Sequence, residues 1–152
     1  MRINSFIRES SVDGLGIRFV IFTQGCKHRC DGCHNPQTWN FKDGYDISVE
    51  DLLKEILKDP LIDGVTFSGG EPFLQQKELT ELAKKLHENN LNIWCFTGFE
   101  YTQVKDTELI KNIDVLVDGK FDKNLKCYGP FKGSSNQKII KLKNGEIEQI
   151  IG

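Results

Sequence analysis

Short apolar runs alternating with amphipathic stretches constrain this chain more than any other feature of its sequence. Arg18–Thr23 (RFVIFT) reads as a strand that stops at Gln24-Gly25. Ser48 then stands as an N-cap with Asp51 three residues on, Leu52, Leu53, Ile56 and Leu57 mark one helical face, and Pro60 ends the helix. Residues 64–68 (GVTFS) form a second strand that breaks at Gly69-Gly70, and the helix after it should bury Leu79, Leu82, Ala83 and Leu86 before closing at Asn89-Asn90. A third strand at 91–96 (LNIWCF) ends at Thr97-Gly98. A weaker helix over 104–112 leads to a fourth strand at 114–117, which ends at Asp118-Gly119. This β-α-β-α-β-α-β order predicts an α/β fold with a mainly parallel sheet and right-handed crossovers. A closed (β/α)8 barrel needs about 250 residues. With 152 residues the sheet should stay open, an incomplete (β/α) barrel over a single domain, residues 1–152. Lys138–Lys143 and residues 146–151 flank Asn144-Gly145, which predicts a C-terminal β-hairpin on a tight two-residue turn.

Parallel α/β folds gather function at the C-terminal ends of their strands. Four strands in a row end here in a chemically notable loop: a cysteine-rich segment, Ser68-Gly69-Gly70-Glu71-Pro72, Thr97-Gly98 and Asp118-Gly119-Lys120. They should lie on one rim. The charge balance, 20 Lys+Arg against 22 Asp+Glu for a net −2, supplies no basic field, so no nucleic-acid partner is expected. No apolar run approaches the ~18 residues of a membrane span, and the N-terminus lacks the apolar middle of a secretory signal, which predicts a cytoplasmic protein without a membrane partner. Three of the five cysteines fall within eight residues, and in a reducing compartment clustered thiols point to metal rather than to disulfides.

Those three, Cys26, Cys30 and Cys33, form a C-x3-C-x2-C array. Three thiolates on one loop can hold three corners of a [4Fe-4S] cube and leave the fourth iron open to a small molecule. The competing reading is structural zinc, with His28 or His34 as fourth ligand, in a non-catalytic binding module. Zinc sites usually draw ligand pairs from separate segments, whereas these donors share one tight loop.

The array, followed by His34-Asn35-Pro36-Gln37-Thr38-Trp39 and then Ser68-Gly69-Gly70-Glu71-Pro72, resembles the radical S-adenosylmethionine (SAM) superfamily and its glycyl-radical-activating members. Gly32, Thr97-Gly98, the run from Asp114 through Asp118 to Phe121 and Gly133-Ser-Ser-Asn-Gln137 are similar to the branch that serves anaerobic ribonucleotide reductase. The resemblance covers nearly the whole chain. It implies one [4Fe-4S] cluster on Cys26, Cys30 and Cys33, with SAM against Gly32, Cys33, His34, Gly69, Gly70, Glu71, Thr97, Asp118 and Lys120. It further implies that a reduced cluster cleaves SAM, that the resulting radical takes a hydrogen from a glycine of the reductase large subunit, and that a flavodoxin or ferredoxin donates the electron. Activation of another glycyl-radical enzyme, or radical chemistry on a small molecule, would use the same cluster. Gly32 stands where the superfamily often has an aromatic residue, and Lys132 where the branch usually has Arg, which keeps the charge but loses planar two-pronged hydrogen bonding. Cys95, between Trp94 and Phe96, reads as a buried small hydrophobe, and Cys127 has no assigned role.

Overall fold

The computed structural model describes all 152 residues except Arg29 and Tyr128. Its elements run β1 (Arg2–Ser10), β2 (Arg18–Thr23), β3 (Tyr45–Asp46), α1 (Val49–Leu57), β4 (Gly64–Gly69), α2 (Gln76–Glu88), β5 (Asn92–Phe96), α3 (Tyr101–Val104), β6 (Val115–Asp118), β7 (Lys138–Lys143) and β8 (Glu146–Ile150). They form one sheet in the order β3-β1-β2-β4-β5-β6-β7-β8. The centre, β2-β4-β5-β6, is parallel; β1 and β3 join one side antiparallel, and β7 and β8 the other. The outermost strands, β3 and β8, do not pair with each other, so the barrel is open.

Alternation along the strands sorts the two faces of the sheet. Phe19, Ile21, Val65, Phe67, Ile93, Cys95 and Leu116 point into the main core, beside Leu52 and Ile56 of α1 and Leu79, Leu82, Ala83 and Leu86 of α2. On the opposite face, among the described residues, no α-helix contributes to the apolar cluster. Trp94, Val117 and Ile139 cluster there with Phe96 and Phe131. Helix α1 starts as its sequence directs, with Ser48 Oγ accepting from Asp51 N at 3.1 Å. Leu57, expected on its buried face, is 44% exposed, and Val49 is buried instead.

Two expectations need revision. The helix read over 104–112 is two short pieces, α3 and a 3-10 turn over Leu109–Asn112. Thr107 divides them, its hydroxyl donating to Val104 O at 2.7 Å and accepting from Ile110 N at 3.4 Å. The N-terminal strand β1 was not expected at all. Its pairing with β2 shifts register between Ile3 and Ser5 and again between Ile7 and Ser10, which breaks the period-two pattern. The hairpin is as expected, with Asn144 at φ 52° and Gly145 at φ 83°, the left-handed pair of a type I′ turn.

Arg18 packs under Trp94 of this second cluster. It is fully buried, donates to Thr66 Oγ1 (2.8 Å), Leu15 O (2.9 Å), Val65 O (2.9 Å) and Asn92 O (3.1 Å), and lies over the Trp94 ring at 5.7 Å. Burial lowers its pKa to about 10, so it stays charged at neutral pH, held by hydrogen bonds and an aromatic face. Arg18→Met keeps much of the volume but strips these donors from Thr66 and three carbonyls. A destabilisation of about 2 to 4 kcal/mol is expected, read as a lower denaturation midpoint at unchanged slope; an unchanged midpoint would show that the buried guanidinium is dispensable.

Candidate cluster and cofactor site

The backbone ladder between β2 and β4 continues past the strand ends. Gly70 N donates to Thr23 O (2.8 Å) and Glu71 N to Gly25 O (2.8 Å), while Gly25 N reaches Thr38 O (2.6 Å) and Cys26 N reaches Trp39 O (3.2 Å). The cysteine loop is thereby stitched to the glycine end of β4 on one side and to residues 38–39 on the other. Cys26 is buried, Cys30 and Cys33 are half-buried, and a turn from Cys33 N to Cys30 O (3.1 Å) brings the last two together. Burial raises the Cys30 thiol pKa, against a smaller lowering effect of the Phe121 backbone.

All three cysteines face a cavity of about 370 Å³ at the C-terminal ends of β2, β4, β5 and β6. His34, Gly69, Gly70 and Thr97 also line it. Four expected residues do not. Gly32, at φ 77°, is exposed, and a Cβ there would meet the Phe121 ring at 3.2 Å. The Glu71 side chain is wholly buried beneath the floor, with its oxygens committed to protein donors. Asp118 is also buried, accepting from Tyr101 N (2.8 Å) and Lys138 N (3.2 Å), so that Gly119 rather than Asp118 meets the cavity. Lys120 faces a separate hollow of about 290 Å³ that it shares with Asp31 and Lys123.

Several lining residues have no site role in the sequence reading: Asp13, Phe96, Val117 and Phe131, and Trp39 of the quoted motif run. Phe96 and Val117 carried a signal, since period-two alternation from the buried Cys95 and Leu116 places them on the opposite face. The Gly133–Gln137 run, quoted above as a motif, contributes Gly133 and Gln137 to the cavity lining. Gln137 Oε1 accepts from Gly133 N (2.8 Å) and Ser134 N (3.1 Å), and its Nε2 donates to Gly119 O (2.9 Å). Lys132, beside it, lines the cavity.

The donor set has the chemistry of an iron–sulfur site. Among the described residues no three His, Cys, Asp or Glu side chains are gathered as one metal ion would require. Three thiols on one loop that line one hollow are the ligand type an iron–sulfur cluster takes. Fold and site together define an iron–sulfur protein of the α/β class, with a roomy half-apolar cavity beside the cluster position.

Comparison with known proteins agrees. A family model described as a 4Fe-4S single cluster domain matches residues 12–140. The anaerobic ribonucleoside-triphosphate reductase-activating protein of Enterobacteria phage T4 is 36% identical over 141 residues, covering 88% of this chain and 90% of that one. Its namesake from Escherichia coli K12 is 31% identical, covering 94% of this chain and 100% of its own length. The pyruvate formate-lyase-activating enzyme of Clostridium pasteurianum is 42% identical over 83% of this chain, but over only 56% of the enzyme. The chain therefore belongs to the 4Fe-4S single cluster domain family, among the anaerobic ribonucleoside-triphosphate reductase-activating proteins.

Proposed function

We propose that this chain activates anaerobic ribonucleoside-triphosphate reductase by generating a glycyl radical on the large subunit, through reductive cleavage of SAM at a [4Fe-4S] cluster. The observation that carries the reading is the convergence of Cys26, Cys30 and Cys33 with Gly69-Gly70 on one cavity, in a chain whose relatives are named as activating proteins. When bound, cluster and SAM supply one-electron cleavage and abstraction of a hydrogen atom from a glycine Cα–H.

The chain's own residues do the rest. The thiolates of Cys26, Cys30 and Cys33 would hold the cluster, with no fourth cysteine on their loop. Gly69 and Gly70 let the end of β4 lie close against β2 and the entry to the cysteine loop, since a Cβ would stand 2.4 Å from Thr23 N at the first and 2.3 Å from Gly25 O at the second. Phe96, Val117 and Phe131 give the cavity an apolar wall that keeps water from a reactive carbon centre. Because the sheet never closes, a protruding loop of a large partner can enter over the rim. A flavodoxin or ferredoxin is the electron donor in this reading, and the cytoplasm its compartment. Among the described residues no helix is long and apolar enough to cross a membrane.

The identity to the Clostridium pasteurianum enzyme favours a second reading, activation of a pyruvate formate-lyase-type partner. One experiment separates them. Anaerobic mixing of reconstituted protein with reductant, SAM and each candidate large subunit should give a glycyl-radical doublet by electron paramagnetic resonance with the reductase subunit. A doublet with the formate-lyase partner alone would transfer the assignment, and uncleaved SAM throughout would end it.

A further inference from the structure

Glu71 is the most heavily engaged side chain of the site. Its carboxylate has no accessible surface. Oε1 accepts from Gly98 N (2.9 Å), Oε2 from Phe73 N (3.0 Å), and the Thr97 hydroxyl reaches both oxygens at 2.8 Å. Nε2 of His28, two residues after Cys26, lies 2.6 Å from Oε1 and donates to it in the tautomer that carries its proton there. The imidazole is only 8% exposed and stands edge-on to Phe99, with ring centroids 4.6 Å apart. It also rests against Gly98, where a Cβ would come within 2.5 Å of the ring. One buried carboxylate thus ties together the cysteine loop, the glycine end of β4 and the end of β5.

We infer that Glu71 and His28 are positioning residues: the pair clamps the cysteine loop onto the ends of β4 and β5, and Glu71 makes no direct contact with the amino group of SAM. The inference rests on the cluster reading given above and deepens it. A carboxylate committed to four protein donors beneath the floor has no open path to a ligand ammonium. The same carboxylate is well placed to hold the middle of a loop whose flanking cysteines must all face one hollow. Without His28, the loop between Cys26 and Cys30 keeps its backbone stitches at Gly25 and Cys26 but loses its buried side-chain tether.

The test compares His28→Gln, whose amide can still donate toward Oε1, with His28→Phe, which keeps a ring beside Phe99 and Gly98 but has no donor. Chelator-driven loss of the reconstituted cluster should be about tenfold faster in His28→Phe and close to the parent in His28→Gln, as befits one charge-assisted hydrogen bond. Glu71→Gln should match His28→Phe, and the double variant should be no worse than either single one. SAM affinity per intact cluster, from its perturbation of the reduced-cluster resonance, should be unchanged in all. Glu71→Gln also disturbs Thr97 and Gly98, so if it fails to fold the two His28 variants decide. Alkylation of Cys26 in the metal-free chain, followed by mass spectrometry, reads the loop independently and should quicken in His28→Phe and recover in His28→Gln. A cluster equally durable in His28→Phe, or a tenfold loss of SAM affinity in Glu71→Gln with full cluster retention, would overturn the clamp. A parent protein that folds but assembles no cluster would instead sink the functional reading, and the alkylation rates would still judge the clamp.

Discussion

Replacing Cys26, Cys30 or Cys33 with alanine, one at a time, should abolish SAM cleavage and reduce bound iron from about four per chain to well below one. A cube on three protein thiolates has no ligand to spare, and neither remaining cysteine can substitute. Cys95 is fully buried on the helix-covered face, where burial drives its thiol pKa well up and away from the thiolate that binds iron. Cys127 does not line the cavity, and its sulfur lies 3.9 Å from the Lys132 carbonyl. Cys127→Ala is therefore the matched control, expected to retain both iron and cleavage. None of the three loop cysteines belongs to either hydrophobic cluster, so the fold should persist, with circular dichroism unchanged while the brown colour is lost. Retained cleavage in any of the three would mean the ligand set is wrong, and a dead Cys127→Ala would mean a ligand or redox partner lies elsewhere.

What the sequence made legible was set by periodicity and by turn chemistry. The four parallel strands and α2 could be read because apolar residues recur at the spacing of a buried face and because Gly-Gly, Thr-Gly and Asp-Gly punctuate the strand ends. Strand β1 escaped because two register shifts scramble its alternation and because Asn4, Ser5, Arg8 and Glu9 make it look like a loop. The cysteines were legible as candidate ligands because three thiols in eight residues have few other uses. Glu71 and Asp118 show the opposite case. A carboxylate after a strand looks the same in sequence whether it turns up toward a ligand or down to collect backbone N–H groups, and here tertiary packing turns both down. Gln137 was illegible for a related reason, since its partner Gly119 stands 18 residues away.

Gly69→Ala and Gly70→Ala should each be severe, but in different ways. Gly69 sits at φ 95°, and a Cβ there would lie 2.4 Å from Thr23 N and 2.6 Å from the Phe22 carbonyl carbon. The residue would be strained in its own backbone and would also wedge apart the last rung between β2 and β4, costing about 3 kcal/mol or more and lowering the denaturation midpoint of the metal-free chain. Gly70 has an ordinary φ, so the obstacle there is contact alone: a Cβ would stand 2.3 Å from Gly25 O, the acceptor of the Glu71 N–H. To make room, the chain entering the cysteine loop must move away from the end of β4. The expected result for Gly70→Ala is a smaller loss of global stability, with cluster retention and SAM binding falling at least tenfold, because the movement falls on the junction that both share. Gly129→Ala supplies the comparison. Among the described residues beyond its chain neighbours nothing lies within 4 Å of a Cβ at that position, and its stability should remain within about 0.5 kcal/mol of the parent. If Gly70→Ala loaded its cluster and bound SAM as the parent does, the close approach of the two loops could not be the reason a glycine is required there, and the stitched rim would lose its part in the chemistry.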